Sequence, residues 1–137
     1  MNYLYHATFR SKLSSIRKNG LMVPGEKAKL SYEGQVYQRG IYLGKDIDFC
    51  GSMLECADNV SESVYESGIV ILAIPVVYLN KVMFERDENL LGEANEMSMV
   101  YKRNIPVEYI RIVKNPNGKC EYKRLLEVSR VTKEYLY

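Results

Sequence analysis

The sequence predicts an α+β fold with a mixed or antiparallel sheet, not a doubly wound parallel one. Two observations carry this: short strand-like runs outnumber helical ones, and helical periodicity falls early in the chain. A third is the turn Asn115-Pro116-Asn117-Gly118 between two strand-like runs, which marks a tight return. At 137 residues the chain has the size of one domain. Such a domain buries roughly two-thirds of its unfolded surface, enough for a core without staples.

The elements follow in order. Asn2 to Ala7 alternates and is rich in tyrosine, so it reads as a strand. Phe9, Leu13 and Ile16 recur at i, i+4 and i+7 and predict a short helix, stopped by Gly20 as a left-handed cap, with Leu21 folding back. Pro24-Gly25 opens a polar loop to about Gln38, basic at Lys27 and Lys29, before the short strand Gly40-Ile41-Tyr42-Leu43. Ser52-x-x-Glu55 has the form of a capping box, and Met53, Ala57, Val60 and Val64 continue at helical spacing to Ser67-Gly68. Ile69 to Ile74 is continuously apolar and of strand length, the mark of a central strand. Leu79 to Phe84 predicts another strand, followed by an acidic loop from Glu85 to Asn95 and an apolar segment from Met97 to Tyr101. Val107 to Val113 and Cys120 to Val128 complete the strands.

Composition removes several classes of function. An apolar share of 47% excludes a disordered chain, and no apolar run approaches the length of a membrane span, so no membrane partner is expected. The first residues carry neither a basic start nor a long apolar stretch, and a cytoplasmic protein is expected. One histidine, His6, excludes a multi-histidine metal site, and Cys50, Cys56 and Cys120 have no paired close spacing for zinc or a disulfide framework. No metal is therefore expected. Charge is blocked: +6 over residues 1–45, −9 over 46–99 and +5 over 100–137. If the basic blocks meet in space they form a positive face suited to a phosphate-bearing ligand; if they interleave with the acidic one they cancel.

Taken singly, His6, Tyr42 and Glu96 read as ordinary residues: a histidine at a strand end, one of twelve tyrosines, a loop carboxylate. Their order and surroundings say more. Tyr5-His6-Ala7-Thr8, then a helix ending Ser15-Ile16-Arg17-Lys18-Asn19-Gly20-Leu21, then Arg39-Gly40-Ile41-Tyr42-Leu43, then Asn95-Glu96-Met97-Ser98-Met99-Val100-Tyr101 resembles the ADP-ribosyltransferase superfamily. The likeness is to its His, Tyr, Glu branch, that of diphtheria-like toxins and poly(ADP-ribose) polymerases, and it spans residues 3 to about 113. The resemblance implies two small, mainly antiparallel sheets facing across an NAD cleft, with an early helix packed on one. It implies an enzyme that transfers ADP-ribose, one per site, from NAD to a macromolecular acceptor.

The chemistry gives these residue types a reason. Breaking the nicotinamide–ribose bond passes through an oxocarbenium-like sugar. By the resemblance, the Glu96 carboxylate would bond the ribose 2′-hydroxyl more strongly as positive charge develops. The Tyr42 ring would stack on the pyridinium, and His6 would orient the adenosine ribose without moving a proton. The Ala7 backbone would hold the carboxamide, Thr8 a ribose hydroxyl, and Arg10 or Arg39 the pyrophosphate. Gly40 belongs to the Gly-Ile-Tyr motif, and the nicotinamide-binding serine of relatives would fall near Cys50 or Ser52. Ala94, two before Glu96, stands where arginine-modifying relatives carry a second acid or amide, which argues against arginine as target.

Other readings compete. RNA 2′-phosphotransferases share the fold, and Ile105-Pro106-Val107-Glu108-Tyr109-Ile110 echoes their late segment, but one histidine does not supply their basic His/Arg set. An NAD glycohydrolase, a non-catalytic nucleotide-binding module and a thiol enzyme built on Cys50 or Cys56 with His6 complete the alternatives. A buried, inert cysteine is the simpler account of the last. The expected partners are NAD, as substrate, and a macromolecular acceptor. The acidic loop favours a basic protein over nucleic acid, while the basic flanks pull the other way. A monomer is expected, of the size and class of a bacterial or phage effector.

Overall fold

A computed structural model describes residues 1–25, 38–90 and 96–137. Among the described residues seven strands form one sheet: β1 (Tyr3–Phe9), β2 (Ile41–Gly44), β3 (Ile69–Pro75), β4 (Phe84–Arg86), β5 (Ser98–Tyr101), β6 (Arg111–Lys114) and β7 (Glu121–Arg124). Their spatial order is β4-β5-β2-β1-β3-β6-β7, and every pairing is antiparallel. Among the described residues three α-helices accompany them: α1 (Leu13–Asn19), α2 (Ile47–Glu55) and α3 (Glu62–Glu66).

The expected pair of small sheets is thus overturned. β1 pairs with β3 over seven register positions, from Tyr3–Pro75 to Phe9–Ile69, and on its other edge meets β2 at Tyr5–Gly44. That second pairing joins β2, β5 and β4 to the rest, so the expected cleft between sheets is replaced by a narrow seam within one sheet. The physical reason is that alternation tells which face a residue takes, not which strand lies alongside.

β3 is buried along its whole length, as its unbroken apolar run requires of a strand covered on both faces. On one face Leu4, Leu43, Leu72 and Ile112 pack with Leu13 and Ile16 of α1. On the other, Phe9, Ile71, Ala73 and Val113 pack with Leu54 of α2. Phe9 has helical spacing to Leu13 but ends β1, because Ile69 pairs with it there. The Ser52 capping box does not form: Ser52 lies inside α2, whose N-cap is Asp46, accepting from Phe49 N at 3.3 Å. α3 is a separate helix capped by Ser61. Of the strand expected over Leu79 to Phe84, Lys81–Met83 form a 3-10 turn and only Phe84 joins β4, and the segments expected as strands at 107–113 and 120–128 each split into a strand and a 3-10 turn. The loop at Lys27 and Lys29, and residues 91–95 of the acidic loop, lie outside the described residues.

Gly20 ends α1 with φ 72° and ψ −168°, outside the left-handed helical region expected of it. A Cβ there would collide with the Ile105 carbonyl. That contact matters because Leu21 and Ile105 exchange backbone bonds of 2.9 and 2.8 Å, tying α1 to the segment before β6. We expect Gly20→Ala to destabilise the protein by more than about 1 kcal/mol in denaturant unfolding. Gly118→Ala, with nothing within 4 Å of the added methyl, should stay within about 0.5 kcal/mol of the parent.

Candidate functional site

β1, β2 and β5 are adjacent in the sheet, and the three residues singled out by the sequence lie along them. His6 is on β1, Tyr42 on β2, and Glu96 two residues before β5. His6 Nδ1 is 2.9 Å from the Tyr42 carbonyl oxygen. A carbonyl only accepts, so Nδ1 carries the proton and the neutral ring keeps its lone pair on Nε2. Burial lowers the His6 pKa from its ordinary 6.5, with the Tyr42 carbonyl opposing that shift more weakly. The ring is therefore neutral at neutral pH.

Strand alternation separates the side chains. His6 pairs with Leu72 and shares the Leu43 face, whereas Tyr42 points to the other face. The Tyr42 hydroxyl accepts from Gln38 N at 3.0 Å. Glu96 has a side chain 80% exposed, with its Oε2 4.0 Å from Lys45 Nζ. The fold thus brings His6 to the Tyr42 backbone and Glu96 to Lys45, while the three side chains take different partners.

The remaining residues spread along the seam. Thr8 is buried, on the His6 face, and Ala7 lies half-buried on the other. β1 and β2 are antiparallel, so Arg10, just past β1, and Arg39, just before β2, flank one end of the seam. Lys45 and Glu96 flank the other end, six residues or about 20 Å along the strand from Arg39. Arg39 Nε donates to the Pro24 carbonyl at 2.9 Å, and its own carbonyl accepts from Lys102 Nζ. Arg10 is exposed, with its backbone N–H on Gly68 O at 2.8 Å. Gly40 is buried where a Cβ would strike Val100, so its packing against β5 alone requires glycine. Ser52 sits on α2, its Oγ 3.3 Å from the Tyr137 hydroxyl.

Two groups escaped sequence reasoning. Gln38 Nε2 donates to Arg86 O at 2.9 Å, and its Oε1 accepts from Glu88 N at 2.8 Å. With its backbone on the Tyr42 hydroxyl, Gln38 ties that ring to the loop leading toward Glu96. A single glutamine carries no pattern that would reveal this. The second group is Tyr3, Tyr5 and Tyr122, which with Lys45 line an open hollow of about 450 Å³ on the sheet face opposite His6. The tyrosine richness was its only signal.

No family model, curated protein or solved structure matches the chain. Among the described residues no group of three His, Cys, Asp or Glu side chains is placed to hold a metal, and no helix is long and apolar enough to cross a membrane.

The thiol alternative meets a physical obstacle. Cys50 Sγ faces the Tyr5 carbonyl at 3.5 Å, and burial, with Asp46 nearby, pushes its pKa up to about 12. In mass-spectrometric alkylation at about pH 8, exposed Cys56 should label first, and Cys50 only after denaturation. Labelling of Cys50 as fast as Cys56 would restore a reactive thiol beside the seam.

The His6 shift has a sign that can be tested. Its pKa is lower folded than unfolded, so the unfolded chain binds more protons just below pH 6.5. Its contribution is complete above that pH and is lost as pH falls toward the folded pKa. His6→Asn keeps a donor near Nδ1 but cannot titrate. Between about pH 5 and 7 the melting temperature of the parent should fall with acid more steeply than that of the variant. Parallel curves would show that His6 is not held neutral.

Proposed function

We propose that the protein cleaves NAD and transfers its ADP-ribose to a macromolecular acceptor in a cytoplasm. The observation that supports this best is that His6 and Tyr42, far apart in sequence, lie on adjacent strands and Glu96 just before the next strand of the sheet, with the His6 ring neutral and anchored to the Tyr42 backbone. NAD would lie along the seam as substrate. Arg10 and Arg39 offer cations for the pyrophosphate at one end, and Glu96 a carboxylate at the other.

The roles follow from chemistry. With Nδ1–H committed to Tyr42, His6 Nε2 accepts a bond from a ribose hydroxyl and orients the sugar without exchanging a proton. As the bond from ribose C1′ to the nicotinamide nitrogen breaks, its electron pair neutralises the ring nitrogen and positive charge moves to the sugar. The Glu96 carboxylate stabilises that charge through the 2′-hydroxyl. An acceptor nucleophile closes on C1′ and releases a proton to solvent.

Incubating the protein with labelled NAD and a cell lysate should release nicotinamide and label an acceptor. Glu96→Ala should slow nicotinamide release by about a hundredfold or more; because Glu96 is exposed and precedes β5, the substitution leaves the core intact. Parental turnover by Glu96→Ala would refute the assignment. Nicotinamide release with no labelled acceptor would identify a glycohydrolase instead.

A further inference from the structure

The tyrosine hollow has a charged frame. Tyr3 and Tyr122 stack nearly parallel, ring centres 4.2 Å apart and planes 6° apart, and the Tyr5 and Tyr122 hydroxyls are bonded at 2.9 Å. Burial raises the Tyr5 pKa, with the Tyr122 hydroxyl bond adding to the shift. On the β2 side the hollow is closed by Lys45, whose ammonium is largely exposed. On the other side, register places Tyr5, Ala73, Arg111 and Arg124 in one row across β1, β3, β6 and β7, on the face that carries the tyrosines.

Arg111 and Arg124 are direct cross-strand partners. Like charges so placed destabilise a sheet, and the partners at hand compensate weakly. Arg111 Nη1 lies 3.5 Å from the Glu108 carbonyl, and Arg124 lies 3.6 Å from a Glu127 carboxylate that is itself exposed. An anion drawn between them would remove the repulsion. From β2 to β7 is four strand spacings, about 19 Å, so the face offers cations at both ends and an aromatic platform between.

We propose that this face binds single-stranded nucleic acid, with a base on the Tyr3–Tyr122 platform and backbone phosphates on Lys45 and the Arg111–Arg124 pair. Stacking on aromatic rings between cations is the physics of sequence-tolerant strand binding. An acidic polypeptide would satisfy the cations and make no use of the outer face of the stacked rings. Lys45 is also the neighbour of Glu96, so the bound strand is placed to be the acceptor, against the preference for protein drawn from the acidic loop. The acceptor role rests on the NAD-cleaving reading; the binding does not.

Fluorescence anisotropy of a labelled pyrimidine oligonucleotide of about twelve nucleotides, with the full chain and no NAD, tests the surface. Binding should weaken with salt and exceed that of the matching duplex. Tyr122→Ala should weaken it about tenfold or more, while Tyr122→Phe, which keeps the ring, stays near the parent. Arg111→Gln and Arg124→Gln, which leave the core alone, should each lower the salt slope by about one. No binding at low salt, slopes unchanged by both arginine variants, or equal binding of polyglutamate would overturn the proposal. NAD is then added. Cleavage of NAD without modification of a bound strand removes the acceptor role alone, and a bound strand with no NAD cleavage refutes the catalytic reading while leaving the surface standing.

Discussion

β2, β5 and β4 join the rest of the sheet through the register pair of Tyr5 with Gly44, and the bond from His6 Nδ1 to the Tyr42 carbonyl crosses the same seam. Seven register positions join β1 to β3, and four join β2 to β5. The seam is thus where fewest backbone contacts cross the centre of the sheet, and the candidate chemistry is strung along it. A bond of this kind contributes about 1 kcal/mol net where well formed, but a buried carbonyl left unmet costs about 1–3 kcal/mol. The His6 ring therefore helps to decide both the position of Tyr42 and, through the β2–β5 ladder, where the approach to Glu96 begins. Structural and functional accounts of His6 are one account: burial keeps the ring neutral, the Tyr42 carbonyl fixes its tautomer, and that tautomer leaves the Nε2 lone pair as an acceptor.

A second set of ties runs around the same strand. Gln38 bonds the Tyr42 hydroxyl through its backbone and Arg86 and Glu88 through its side chain. Lys102 reaches the Arg39 carbonyl and sits 3.6 Å from Glu85. Residues just before β2 are thereby held to β4 and to the start of the acidic loop. Tyr42 is anchored at both ends, by its carbonyl across the seam and by its hydroxyl to this clasp. One anchor is on β1 and the other, Gln38, precedes β2, so the backbone and the far end of the side chain are held independently.

What the sequence makes legible follows from what periodicity encodes. β3 is legible because a strand covered on both faces needs an unbroken apolar run, and Ile69 to Ile74 is one. The return at Asn115–Gly118 is legible because few residues serve that turn. The number of sheets is not, since one pairing at Tyr5–Gly44 decides it and no pattern marks that pair. Ser52-x-x-Glu55 mimics a cap because residues three apart share any helix face; Asp46, the cap that forms, stands three before a phenylalanine and has no reciprocal glutamate or glutamine at Phe49. For the site, residue order pointed to His6, Tyr42 and Glu96, and the sheet makes their strands neighbours. That His6 and Tyr42 take opposite faces depends on register, which spacing alone does not supply.

The blocked charge acquires meaning only in the folded chain. Lys45 comes from the first basic block and Arg111 and Arg124 from the last, and β1 and β3 between them bring both to one face, around rings of Tyr3, Tyr5 and Tyr122. The blocks meet there instead of cancelling. Lys45 is where the two functional readings touch, because a phosphate on this face and the Glu96 carboxylate compete for one ammonium. At 4.0 Å and in solvent the Lys45–Glu96 pair holds weakly, so an arriving phosphate displaces it at little cost. Displacement would leave the carboxylate free to meet a sugar hydroxyl at the moment an acceptor is in place. Binding of a strand and readiness of Glu96 would then be coupled through one side chain, with no movement of the sheet required.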